Sequence, residues 1–210
     1  MNKKRTIAIT LLSIIITAAA LLTVLVMLVF DRAPLPPLPP ATVQENIDTA
    51  KLSGRLMTQI SQAFGKQQEQ LTLTLSQDEL DLLLKHAARY HELNKKADDP
   101  SFLASSSANG ITFQLSQPVA WGYCRFQICA EPEIADNKFT VRVKSCSLGS
   151  IALPAGKVES AIAEKIAEKQ SDPRFQLMLN AVESLTMQQD GSIKAVINCQ
   201  AAAMAAGALL

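Results

Sequence analysis

The sequence predicts an α+β domain carried behind a single N-terminal transmembrane helix, with an antiparallel curved sheet packed on amphipathic helices. Three observations predict it. Residues 6–30 run for 25 positions without a charge, a proline or a glycine. Further on, strict apolar–polar alternation, as in Leu71 to Leu75 and Ile111 to Leu115, gives strands with one buried face. Between the strands, leucine, isoleucine and valine recur at the 3.6-residue period of helices that bury one side.

As a helix, a 25-residue run is about 37 Å long at ~1.5 Å per residue, more than the ~30 Å hydrocarbon core of a bilayer. Lys3, Lys4 and Arg5 precede it, whereas Asp31 and Arg32 nearly cancel after it. The positive-inside rule therefore keeps residues 1–5 cytoplasmic and exports everything from Asp31 onward. A cleaved signal peptide is the competing reading, with Ala18, Ala19 and Ala20 as the small-residue cleavage site. Cleavage there would leave the apolar decapeptide Leu21 to Phe30 at the new N-terminus, which favours an uncleaved anchor. The expected organisation is a cytoplasmic N-terminus (1–5), a transmembrane helix (6–30), a Pro-rich spacer (31–41) and an extracytoplasmic domain (42–210). Even-numbered exported cysteines and the short lysine-rich start point to a bacterial inner membrane, single-pass, with the C-terminal domain in the periplasm.

Setting aside Lys3, Lys4, Arg5, Arg32 and Asp31 leaves 16 Lys+Arg against 18 Asp+Glu, a net charge of −2 for residues 33–210. No basic patch is implied, so nucleic acid is not an expected partner. Cys124, Cys129, Cys146 and Cys199 all lie on the exported side, where disulfides are the natural expectation, with three connectivities open. A C-x4-C spacing does not suit a zinc knuckle, and no C-x-x-C redox pair is present.

Prolines 34, 36, 37, 39 and 40 predict a stiff, extended spacer that holds the domain roughly 25–30 Å off the membrane, at ~3.1 Å per residue. Thr42 with Glu45 forms a capping box, and Val43, Ile47, Ala50, Gly54, Met57, Ile60 and Phe64 give the stripe expected to be buried. Strand Leu71–Leu75 leads into a second capping box, Ser76 with Glu79, and a helix to about Leu93 carrying Leu80, Leu83, Leu84, Ala87 and Ala88. His86 and His91 lie five apart on it, about 140° around the axis, too divergent to share a metal. Residues 98–110 read as a small polar loop, 111–115 as a strand broken by Pro118, and 123–148 as a hairpin about Asp136-Asn137. That turn would set Cys129 opposite Lys144 and on the same face as Cys146. Pro154 opens a helix with Val158, Ala161, Ile162 and Ile166 on one side; Asp172-Pro173 opens another; Asp190-Gly191 turns a closing hairpin.

No catalytic constellation is legible. There is no G-x-S-x-G elbow, no phosphate-cradling glycine loop and no H-E-x-x-H pair, so no catalytic, cofactor-binding or metal-binding residue is expected, and the chain is expected not to be an enzyme. Apolar patterning is what stands out. It suggests a groove between sheet and helices, with Leu80, Leu83, Leu84, Val158, Ile162 and Ile166 as candidate lining, because ligand sites are concave and mostly apolar.

The segments Thr72–Leu84 (TLTLSQDELDLLL) and Ser147–Pro154 (SLGSIALP), each joined to a helix, resemble the YpmS-like family of membrane-anchored extracytoplasmic proteins over residues 70–198. The order of elements is also similar to tubular lipid-binding (TULIP-like) domains. That resemblance implies an acyl chain held between a curved sheet and a helix, and transfers no catalytic residue. The expected function is thus a membrane-tethered periplasmic module binding lipid or another apolar ligand. Its alternative is an envelope scaffold or assembly partner of other membrane proteins.

Overall fold

A computed structural model describes residues 28–31, 33–94, 99–120 and 122–209. The expected membrane helix lies, up to residue 27, outside the described residues, as do Lys95, Lys96 and Trp121. Among the described residues no helix is long and apolar enough to cross a membrane. They form an α+β fold in which one curled antiparallel half-barrel sheet carries five helices.

The long strand β5 (Gly122–Ala135) is the hub of the sheet. Along one edge it pairs first with β4 (Gly110–Val119) and then, through Ile134↔Leu185, with β8 (Val182–Met187). On its other edge it meets β1 (Phe30–Asp31) and then β6 (Lys138–Leu148). Outward from these lie β3 (Ser101–Ser107) on β4, β7 (Ile151–Ala152) on β6, and β9 (Ile193–Asn198) then β2 (Gln70–Leu75) on β8.

Helices α1 (Val43–Gly65) and α2 (Gln77–Asn94) begin at the two predicted capping boxes. Glu45 N–H donates to Thr42 Oγ1 at 3.1 Å and Thr42 N–H to Glu45 Oε2 at 2.9 Å. Ser76 and Glu79 reciprocate in the same way at 2.9 and 3.3 Å. The Thr42 N–H, with Arg89 beside it, holds the Glu45 carboxyl below the usual 4.5. Burial pushes Glu79 up, but the Ser76 N–H and Arg55 outweigh it and the net shift is downward. Both groups are more acidic folded than unfolded, so their contribution is full above about pH 4.5 and is lost as pH falls through the lower folded values. Acid titration by circular dichroism is therefore expected to lose helix as pH falls below about 4.5, and Glu79→Gln to flatten that loss. An unchanged acid limb in the variant would refute the assignment.

Four expectations are corrected here. The segment 98–110 is not a loop: β3 pairs with β4 from Ser101↔Ser116 to Ser107↔Gly110. Ser106 is held by α2, its Oγ donating to Gln77 O at 2.9 Å, while Ala104 is buried. Pro118 does not break β4, because β3 stops pairing at Ser116 and leaves that edge without a ladder bond for proline to lose. The stripe expected to bury α1 faces outward: Val43 is 77% and Met57 67% exposed, while Leu52 and Ala63 carry the inner face. Finally, the Pro-rich segment does not stand off as a spacer. Leu35 is buried and Arg89 Nε donates to Pro39 O at 3.0 Å, so the segment lies along the domain.

The 123–148 hairpin forms about Asp136 and Asn137, both at positive φ (50° and 56°), the geometry of a type I′ turn. Its register holds to Ala130↔Val143 and then slips by one, so Cys129 pairs with Ser145 and Cys146 with Ile128. The extra residue is Lys144, a β-bulge that keeps Val143 and Cys146 both pointing inward. Two buried clusters result. One joins Ile128, Ala130, Val143 and Cys146; the other joins Leu80, Ile111 and Ile193; Phe113 packs against both.

Candidate functional site

Helix α3 (Ala155–Gln170) follows Pro154, whose fixed φ suits a helix start. It runs along β6 and is tied to it at intervals. Leu153 N–H donates to Cys146 O (2.9 Å), Val143 N–H to Glu159 Oε2 (2.8 Å) beside the bulge, and Gln170 Nε2 to Phe139 O (3.0 Å). Despite these ties, no residue of α3 is fully buried. Val158 and Ile162 rest on the first core cluster, and the rest of their row opens into a groove of about 800 Å³.

Phe126 and Phe139 form the sheet side of this groove, Val158, Ala161, Ile162 and Ile166 the helix side. Leu153 and Pro154 close one end, and Phe175 of α4 (Pro173–Ala181) lies at the other. The volume falls within the ~300–1,000 Å³ typical of ligand sites. Lys157, Lys165 and Lys169 stand on the rim, Lys165 paired with Glu168 at 2.9 Å. An apolar trough under a cationic rim suits a chain with an anionic head. Its lining residues offer no nucleophile paired with a base. A second concavity, of about 400 Å³ at the end of α1, is of mixed character, lined by Gln67, Gln70, Glu183 and Asn198 together with Phe64, Cys199 and Ala203.

The six predicted lining residues divide. Val158, Ile162 and Ile166 line the groove. Leu80 is buried against Ile111 and Ile193 with Leu84 packed beside it, and Leu83 is half-buried on α2 away from the groove. Sequence reasoning missed the phenylalanines, which come from β5, β6 and α4. It also passed over one readable signal: Lys157, Ala161, Lys165 and Lys169 recur every four residues, a row beside Val158, Ile162 and Ile166.

All four cysteines are unbonded in the structure, so none of the expected disulfides is formed. The bulge explains one pairing, since it leaves Cys129 on the face opposite Cys146. Cys124 shares the inner face with Cys146 but is four residues along β5 from its partner Ile128, about 13 Å at ~3.3 Å per residue and too far to bridge. Burial pushes the Cys146 thiol up. Alkylation near pH 8, mapped by mass spectrometry, is expected to label the half-buried Cys124 and Cys129 well before Cys146 and Cys199. Equal rates at all four would refute it. His91 lies 2.9 Å from Pro100 O and edge-on to Phe102. Among the described residues no group of three His, Cys, Asp or Glu could hold a metal ion.

These features define a class: an α+β protein whose curled half-barrel sheet holds an apolar groove beneath a helix strapped along one of its strands. Compared with protein-family models, curated proteins and solved structures, the chain gives no match.

Proposed function

We propose that the protein is a membrane-tethered, non-enzymatic module on the periplasmic face of a bacterial inner membrane, holding a lipid acyl chain in the groove beneath α3. One observation carries this reading: the groove is apolar along both walls and cationic only at its rim. The order of its elements, which resembles the YpmS-like and TULIP-like patterns, supports it, as does the uncharged run at 6–30. The test is native mass spectrometry of the full chain purified in mild detergent, before and after adding phosphatidylglycerol. A lipid adduct is expected. A chain that neither retains lipid nor takes up the added lipid would overturn the reading.

A second reading, an envelope scaffold, is favoured by the outer face of α1. Val43, Ile47, Ala50, Gly54 and Met57 are all exposed and alternate at four and three residues, the seam period of paired helices, and the exposed Phe64 lies one seven-residue repeat beyond Met57. A photo-crosslinking residue at Met57 in native membranes separates the two. A stoichiometric protein adduct supports the scaffold; its absence, with lipid bound, supports the lipid module.

A further inference from the structure

The described chain begins at a built contact. Phe30 and Asp31 pair with Cys124 and Tyr123 of β5, and Ser150 N–H donates to Leu28 O at 2.8 Å. Gly149, in the β6–β7 turn, sits at φ 56°, and its N–H donates to Arg125 O at 2.6 Å. A Cβ there would overlap the Leu28 carbonyl oxygen and lie 2.6 Å from that of Val29. Only glycine lets the backbone of residues 28–29 lie this close to the turn.

The same turn adjoins the groove. Phe126 is two residues along β5 from Cys124, about 7 Å at ~3.3 Å per residue, and pairs with Leu148, the residue before the turn. Leu153 and Pro154 close the groove only a few residues after Gly149, and Lys157 stands on the rim at that end. The uncharged run preceding Leu28 is residues 6–27, 22 positions or about 33 Å as a helix, still enough for a ~30 Å core.

We infer that the Gly149–Ser150 turn is a seat for the chain emerging from its membrane anchor, and that it sets the groove mouth on that bilayer, from which an anionic phospholipid inserts an acyl chain. This rests on the lipid-binding reading above and on the anchor. With residues 30–31 paired to β5 and Leu28 bonded to Ser150, no spacer separates anchor from domain, and Lys157 is placed to meet the phosphate of the headgroup.

The test uses the full chain in vesicles of phosphatidylethanolamine and phosphatidylglycerol, part of the latter with a photo-crosslinking acyl chain. Gly149→Asn tolerates a left-handed φ yet places a Cβ against Leu28; Gly149→Val is the harsher form. In vesicles both are expected to cut crosslinks to residues 155–170 at least tenfold. In detergent, crosslinking by the same lipid is expected to match the parent, which also certifies that the variants fold and that the groove is intact. Parent-level crosslinking in vesicles by a variant would overturn the seat while leaving the lipid site standing. No crosslink to α3 from the parent, in vesicles or detergent, would overturn both.

Discussion

Replacing Ala161 by tryptophan is expected to abolish acyl-chain binding while leaving the fold intact. Ala161 is exposed, lines the groove, and stands within the lysine row of α3, beside the apolar row of Val158 and Ile162. An indole there fills the trough from the helix side without entering either core cluster. Each methylene returned to water costs about 0.8 kcal/mol, so displacing about four costs ~3 kcal/mol, or roughly two-hundredfold in affinity. The stability change is expected to stay within about 0.7 kcal/mol, since an exposed helix position feels little beyond propensity. Titration of the full chain in detergent with a fluorescent phosphatidylglycerol reads the first effect and a thermal melt the second. Binding that survives within a factor of three would place the ligand elsewhere.

The largest expected loss of stability follows Ile128→Ala. Ile128 is buried at the centre of β5, with Phe113 opposite on β4 and Cys146 opposite on β6. Its cluster is the floor on which Val158 and Ile162 hold α3. Neighbours on both sides are fixed by ladder bonds and cannot collapse into the space, so the cost belongs in the upper part of the ~2–5 kcal/mol range for such truncations. That is a large share of the ~5–15 kcal/mol a domain commands. Urea unfolding of the full chain in micelles measures it, and a loss below ~1 kcal/mol would contradict the packing described. Leu83→Ala, at a half-buried position outside both clusters, is the control expected to cost far less.

What the sequence disclosed was mostly local chemistry. Capping boxes, the Asp136-Asn137 and Asp190-Gly191 turns, and the alternation in β2 and β4 lie within a few residues and need no tertiary knowledge. The serines of β3 gave no apolar alternation, and only the pairing with β4 and the hydrogen bonds that Ser106 donates to α2 make them a strand. Helix α1 has the right period but two apolar sides, and periodicity alone does not say which side the sheet covers. The bulge at Lys144 has no signature in the sequence, yet it reassigns Cys129 and creates the site where Glu159 fastens α3. Half the groove was legible because it lies on one helix. Its phenylalanines were not, because three distant elements bring them together.

The pairing of β2 with β9 sets a condition on how the molecule is made. Gln70 meets Asn198 and Leu75 meets Ile193, so a strand synthesised early waits for one of the last segments of the chain. Such distant closure is slow. Until it happens, the alternating Leu-Thr edge of β2 stands unpaired, an open template for another nascent copy. The vulnerable moment of this protein is therefore its assembly, when a truncated or stalled chain would present that edge to its neighbours.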